Sequence, residues 1–143
     1  MQEENKQVVL GCWEVANTHN VAEFDRYYAE DVVYYGNEGE IRGRENVKAY
    51  LQGFMTALPD LKLTVEDIFG EGDRVFSRTR LQGTNTGEFN GMPPTGKRID
   101  VRWIMNAARV QEGKIVEEWE ILDQLEVMRQ LGLIETPLPS SRA

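Results

Sequence analysis

Apolar residues recur at helical spacing at the start of the chain: Val8, Val9, Cys12, Trp13 and Ala16 form one stripe, which predicts a helix over residues 3–19 with that stripe toward the core. Asn20 followed by Glu23 resembles an N-cap and its partner, opening a short second helix with Phe24, Tyr27 and Tyr28 facing inward. Asp31 then begins a strand, Val32-Val33-Tyr34-Tyr35, ended by the turn residues Gly36-Asn37-Glu38-Gly39. From Arg44 to Leu58 the positions Val47, Tyr50, Leu51, Phe54 and Leu58 trace a third helix, stopped at Pro59-Asp60. Beyond it the period changes from helical to alternating. Strands are predicted at residues 61–65, 75–84, 98–110 and 114–122, the last two joined by Glu112-Gly113, which suits a type I′ hairpin. The Gly- and Pro-rich stretch 84–97 is a loop, and Asp123 with Glu126 forms a capping box before a last helix ending near Gly132. This order of elements predicts a single α+β domain over residues 1–135, helices on one face of a mostly antiparallel sheet, and a loose tail over 136–143.

The hairpin fixes a register. With Gln111 opposite Lys114, Glu120 falls opposite Met105 and Glu118 opposite Ala107, so Trp103, Met105, Ala107, Val116, Glu118, Glu120 and Leu122 share one face. Ile104, Ala108, Val110, Trp119 and Ile121 share the other; a bulge in either strand would change both sets. Only one face of a two-layer domain meets its helices, so the face bearing Ile104, Trp119 and Ile121 is expected to meet a second subunit in a homodimer or homotetramer.

Composition narrows the chemistry. The 143 residues carry 16 Lys+Arg against 24 Asp+Glu, a net charge of −8 that opposes nucleic-acid binding. No apolar run reaches the ~20 residues of a membrane span. The N-terminus lacks the basic start and apolar core of a secretory leader, and Cys12 is a single cysteine, so the chain reads as cytosolic. One histidine, His19, makes a zinc site or a Ser-His-Asp triad poorly supplied. The expected chemistry runs on carboxylates with no metal or cofactor. Glu118 and Glu120 stand two residues apart on a largely apolar strand face, where desolvation and mutual repulsion oppose double ionisation, so one can titrate near neutrality as a general base requires. The competing reading leaves one or both in solvent, where glutamates usually sit.

Tyr34 is a candidate hydrogen-bond donor to a substrate oxygen, and Trp13, Phe54, Trp103 and Met105 are candidate walls for a flat ligand, although aromatic residues more often serve packing. Arg78 and Arg80 share a strand face and could neutralise a carboxylate, either a substrate's or the protein's own. Cys12 is most simply a small buried hydrophobe.

Three stretches carry a family resemblance: Pro59-Asp60-Leu61 with Gly70-Glu71-Gly72-Asp73-Arg74-Val75; the run from Gly83 through Asn85-Thr86-Gly87 to Gly96-Lys97; and Gly113-Lys114-Ile115-Val116-Glu117-Glu118-Trp119-Glu120 leading to Asp123-Gln124-Leu125. In order and spacing the chain resembles the SnoaL-like polyketide cyclases of the nuclear-transport-factor-2-like superfamily. The resemblance implies a cone-shaped curved sheet around a pocket closed by the N-terminal helices, and a small apolar or aromatic carbonyl compound as ligand. It implies an intramolecular aldol closure without metal or cofactor, with Glu120 at the position of the family's acid/base Asp. Glu118 stands where relatives often carry His, and Tyr34 where some do. Two other activities stay open: water activation as in the limonene-epoxide-hydrolase-like members, and binding without catalysis.

Overall fold

The computed structural model describes residues 2–135, so the expected tail at 136–143 lies outside the described residues. Helix α1 spans Gln2–Thr18, a 3₁₀ turn Val21–Arg26, and α2 Arg44–Ala57; α3, Gln124–Gln130, follows the sheet. The strands are β1 (Tyr28–Gly36), β2 (Gly39–Arg42), β3 (Lys62–Glu71), β4 (Arg74–Thr84), β5 (Arg98–Gln111) and β6 (Lys114–Leu122). They form an open six-stranded sheet in the order β2-β1-β6-β5-β4-β3. Every neighbouring pair is antiparallel except β1 and β6, which run parallel and bring the chain's first strand beside its last.

The helical stripes lie where their periodicity places them. Val9, Cys12, Val15 and Ala16 of α1 are buried over β3 and β4, and Val47, Met55 and Ala57 of α2 are buried over β1 and β2. Glu112 and Gly113 have φ of 53° and 77°, the paired positive values a type I′ turn demands. Asp123 Oδ1 accepts from the Glu126 amide at 3.2 Å, capping α3. Asn20 makes no such side-chain bond, and the segment after it is 3₁₀ rather than α.

Three expectations are corrected. Strand β1 starts at Tyr28, three residues before Asp31, and β2 is an additional edge strand with only one apolar residue, Ile41, to announce it. The β5–β6 register also slips: Val110 pairs with Ile115, but Arg109 pairs with Glu117, leaving Val116 as a bulge. Glu118 therefore faces Ala108 and Glu120 faces Asn106, not Ala107 and Met105. A second shift, between Thr79/Ile104 and Leu81/Val101, leaves Arg102 and Trp103 both exposed.

Each bulge reverses the alternation beyond it. Ile104, Asn106 and Ala108 point inward with Glu118 and Glu120, whereas Trp103 and Met105 point outward with Trp119 and Ile121. Ile104 is a core residue, so it cannot belong to an outer contact face.

The long loop is organised by one side chain. Asn85 donates to the carbonyls of Ala57 and Gly87 and accepts from the amide and hydroxyl of Thr95, tying both ends of the loop to the end of α2. At Gly87 a Cβ would lie 1.8 Å from the Thr56 carbonyl oxygen, so no other residue permits this approach. Asp60 secures the strand end, its carboxylate accepting from the Thr84 amide and hydroxyl.

Candidate active site

The inner face of the sheet is apolar along its margins and polar across its middle. Ser77 and Thr79 of β4, Asn106 of β5 and Glu118 of β6 are all buried. Buried polar groups ordinarily find partners, and most of this band does, although Thr79 Oγ1 and Asn106 Oδ1 are left without one. Tyr28 Oη donates to Glu118 Oε1 at 2.5 Å, and Tyr34 Oη donates to Glu120 Oε2 at 2.5 Å. Asn106 Nδ2 donates to Glu118 Oε2 at 2.8 Å and to Glu120 Oε1 at 2.9 Å. Trp13 Nε1 donates to Ser77 Oγ at 3.0 Å, anchoring α1 to the same band.

The cause of this clustering is the parallel β1–β6 pair. It sets Tyr34 beside Glu118 in register, so residues 28 and 34 reach residues 118 and 120 across nearly the whole sequence. Burial pushes the Glu118 carboxyl up to about 8, reinforced by the charge of Glu120 and opposed by its bonds from Tyr28 and Asn106. Burial raises Glu120 as well, against the donors Tyr34 and Asn106. Desolvation and the neighbouring carboxylates hold Tyr28 and Tyr34 far above the usual phenol range. Both phenols therefore stay protonated and serve as donors. Two acids in one enclosure, linked by neutral donors, give a site that holds a proton near neutral pH and can exchange it with a ligand.

The pair opens into an inner cavity of about 80 Å³ walled by Trp13, Phe24, Tyr28, Tyr34, Tyr50 and Phe54. A second chamber of about 380 Å³ adjoins it between α2, α3 and the 85–95 loop, with Tyr50, Phe54, Leu81 and Leu122 common to both walls. Aromatic rings run from the acids to the loop: Tyr34 to Tyr50 at 5.4 Å between centroids, Tyr50 to Phe54 at 5.2 Å, and Phe54 to Phe89 at 5.1 Å. Among the described residues no Lys, Arg or His lines either chamber. Nor do three His, Cys, Asp or Glu side chains gather as a metal ion would require, again among the described residues.

Of the residues singled out from sequence, Glu118, Glu120, Tyr34, Trp13 and Phe54 meet at the inner cavity. Trp103 and Met105 do not; the bulges place them on the outer face, 46% and 37% exposed. Arg78 and Arg80 are also outside, paired with Glu66 and Asp100 of the protein itself. Sequence reading missed Tyr28 and Asn106. Asn106 leaves a detectable trace, a lone amide in the run Trp103-Ile104-Met105-Asn106-Ala107-Ala108, since an apolar strand rarely admits an unpaired polar group.

Comparison with known proteins bears on the same site. A family model, SnoaL-like polyketide cyclase, matches residues 6–131. AclR from Streptomyces galilaeus, a candidate hydroxylase, superposes with a TM-score of 0.83 at 28% identity over 94% of this chain and 100% of its own. IdmH from Streptomyces antibioticus, a candidate polyketide cyclase, gives 0.78 at 31% identity over 90% and 98%. An LEH-like epoxide hydrolase from M. tuberculosis shares the fold, with a TM-score of 0.71 at 15% identity over 91% and 86%. No curated protein matches the sequence.

Proposed function

Since the chain belongs to the SnoaL-like polyketide cyclase family, we propose that it is a cofactor-independent acid/base enzyme that closes a ring in a polyketide-like ester by intramolecular aldol addition. The observation that carries this reading is the buried Glu118–Asn106–Glu120 cluster at the floor of an aromatic-walled cavity. Glu120 is the more accessible acid and serves as the base, while Glu118, 5% exposed, holds the proton.

The step follows from the hydrogen bonds. Glu120 takes a proton from the carbon between two electron-withdrawing groups, and the C–H electron pair moves into the enolate. Once protonated, Glu120 is a poorer acceptor, so the Tyr34 hydroxyl is released toward the enolate oxygen. The enolate carbon then bonds to a carbonyl carbon of the same molecule, and the resulting alkoxide takes up a proton from the acid pair.

The two chambers bear on substrate shape. Ligands of drug-like size fill about 300–1,000 Å³, so the inner cavity accommodates only the reacting carbonyl head, while the outer chamber has room for the body. Walls with carboxylates and no cation favour an uncharged compound over its free acid.

Replacing Glu120 by Gln tests the assignment. General-base removal is expected to lower kcat on a cyclisable ester by about 10²–10⁴-fold while the far-ultraviolet spectrum and melting temperature stay native-like. Retained turnover would sink the catalytic reading and leave a binding protein.

A further inference from the structure

Each of the four oxygens of the acid pair has one donor. The outer two face phenols, Glu118 Oε1 toward Tyr28 and Glu120 Oε2 toward Tyr34. The remaining two, Glu118 Oε2 and Glu120 Oε1, converge on one nitrogen, Asn106 Nδ2. An amide nitrogen donates two hydrogens and accepts none. Two adjacent carboxyls ordinarily lower their repulsion by sharing a proton along a direct O–H···O bond. Here the oxygens that would make that bond are already held by N–H groups.

The other end of the same amide supports this reading. Asn106 is 1% exposed, and its Oδ1 is buried without a partner. Leaving a buried carbonyl unmade is costly, but turning the amide would set that oxygen against two carboxyl oxygens and strand the nitrogen instead. Asn106 keeps both hydrogens on the carboxyls and leaves its acceptor unmet.

We propose that Asn106 is a positioning residue that bars direct proton sharing between Glu118 and Glu120, so that the two act as separate groups, Glu118 the acid and Glu120 the base. The proton of the pair resides on Glu118 Oε1; in that state the short bond to Tyr28 runs the other way, the carboxyl donating to the phenol oxygen, and the Tyr28 hydrogen turns toward the Cys12 thiol of α1. Glu120 keeps an ionised carboxylate braced by Asn106 and Tyr34. The titratable groups facing the pair are Cys12 from α1, Tyr28 and Tyr34 from β1, and Tyr50 from α2, on which Glu38 of the β1–β2 turn also acts. None of them is cationic, so the division of the proton falls to Asn106. Only the kinetic consequence rests on the catalytic reading, since proton division belongs to the resting protein.

The test is carboxyl ¹³C NMR of glutamate-labelled protein across pH 4 to 10. In the native protein the Glu118 and Glu120 carboxyl signals should each move in their own step, and both hydrogens of the Asn106 side-chain amide should shift as the pair titrates. In Asn106→Leu, which keeps the bulk without donors, the carboxyls should collapse into a proton-sharing dyad: both signals move in both steps, and the upper step rises by about one pH unit or more. Asn106→Ala should do the same without steric demand, and the amide signals of the unaltered protein provide a reading that needs no variant. Amide hydrogens indifferent to pH, or variants that melt lower yet titrate as the native protein does, would overturn the proposal. If the titrations behave as expected but no cyclisable ester turns over, the catalytic reading fails and the proton division stands.

Discussion

Glu118 illustrates how a single residue can work against the stability of the molecule that houses it. Its carboxyl is pushed up to about 8 in the folded state, chiefly by burial, whereas in the unfolded chain it returns to the ordinary carboxylate range. A raised folded value means that the stabilising contribution is fully present below the unfolded value and is lost as pH climbs through the folded one. Stability should therefore decline between about pH 5 and 8, by up to about 1.4 kcal/mol per pH unit in the middle of that window. Glu118→Gln removes the ionisation and retains the shape. Urea midpoints measured at several pH values should show the native protein falling more steeply than the variant, which keeps only the smaller slope of the raised Glu120 carboxyl; parallel slopes would mean that Glu118 is not protonated in the resting fold. Cys12 is the quieter neighbour, its thiol held well above the ordinary range by burial and by the charge of Glu118, which keeps it an unreactive component of the core.

At the level of elements, the readable parts were those in which one period ran unbroken. The stripe of α1, the face of α2, the Glu112-Gly113 turn and the Asp123 cap all obeyed local rules and stand where those rules put them. The bulges obey no local rule. Val116 extends an apolar pair, Ile115-Val116, that reads equally well as ordinary alternation, and only the competition between hairpin register and core burial makes it the extra residue. That one residue decides that Asn106 rather than Met105 lies beside Glu120. Strand β2, with Ile41 alone among Gly39, Glu40 and Arg42, was hidden for a simpler reason: an edge strand has little to bury. Two glycines separate structural need from tolerance. Gly87→Ala forces a methyl against the Thr56 carbonyl and should cost about 1–3 kcal/mol or more. Gly53, inside α2, would meet nothing closer than Asn90 Oδ1 at 3.7 Å, so Gly53→Ala should stabilise by about 0.5–1 kcal/mol. Thermal melts of the two variants should move in opposite directions.

For the whole molecule, the outer face of the sheet is the surface that bears on assembly. The expected contact face, corrected for the bulges, consists of Trp103, Met105, Trp119 and Ile121 rather than Ile104, with Ile121 58% exposed. Three of its arginines are already matched within the chain: Arg78 with Glu66, Arg80 with Asp100, and Arg109 with Glu117. Arg74 and Arg78 also lie over the Trp119 and Trp103 rings. A surface whose arginines are largely paired in this way can meet its own copy with less of the repulsion expected elsewhere on a chain of net charge −8. Sedimentation should find a dimer that Ile121→Lys converts to monomer, and a monomeric native protein at high concentration would remove the idea.

The pairing of the first strand with the last also fixes when the acid site can come into being. Tyr28 and Glu118 are 90 residues apart in sequence, and Tyr34 and Glu120 are 86 apart. During synthesis the phenols leave the ribosome long before the acids they will hold, and no nascent chain that ends before Glu118 contains a phenol together with its acid. Closing so long a loop is among the slower events of folding, so the hairpins of β3 through β6 can form before β1 docks. Acquisition of the acid pair's shifted titration then marks the end of folding rather than its beginning.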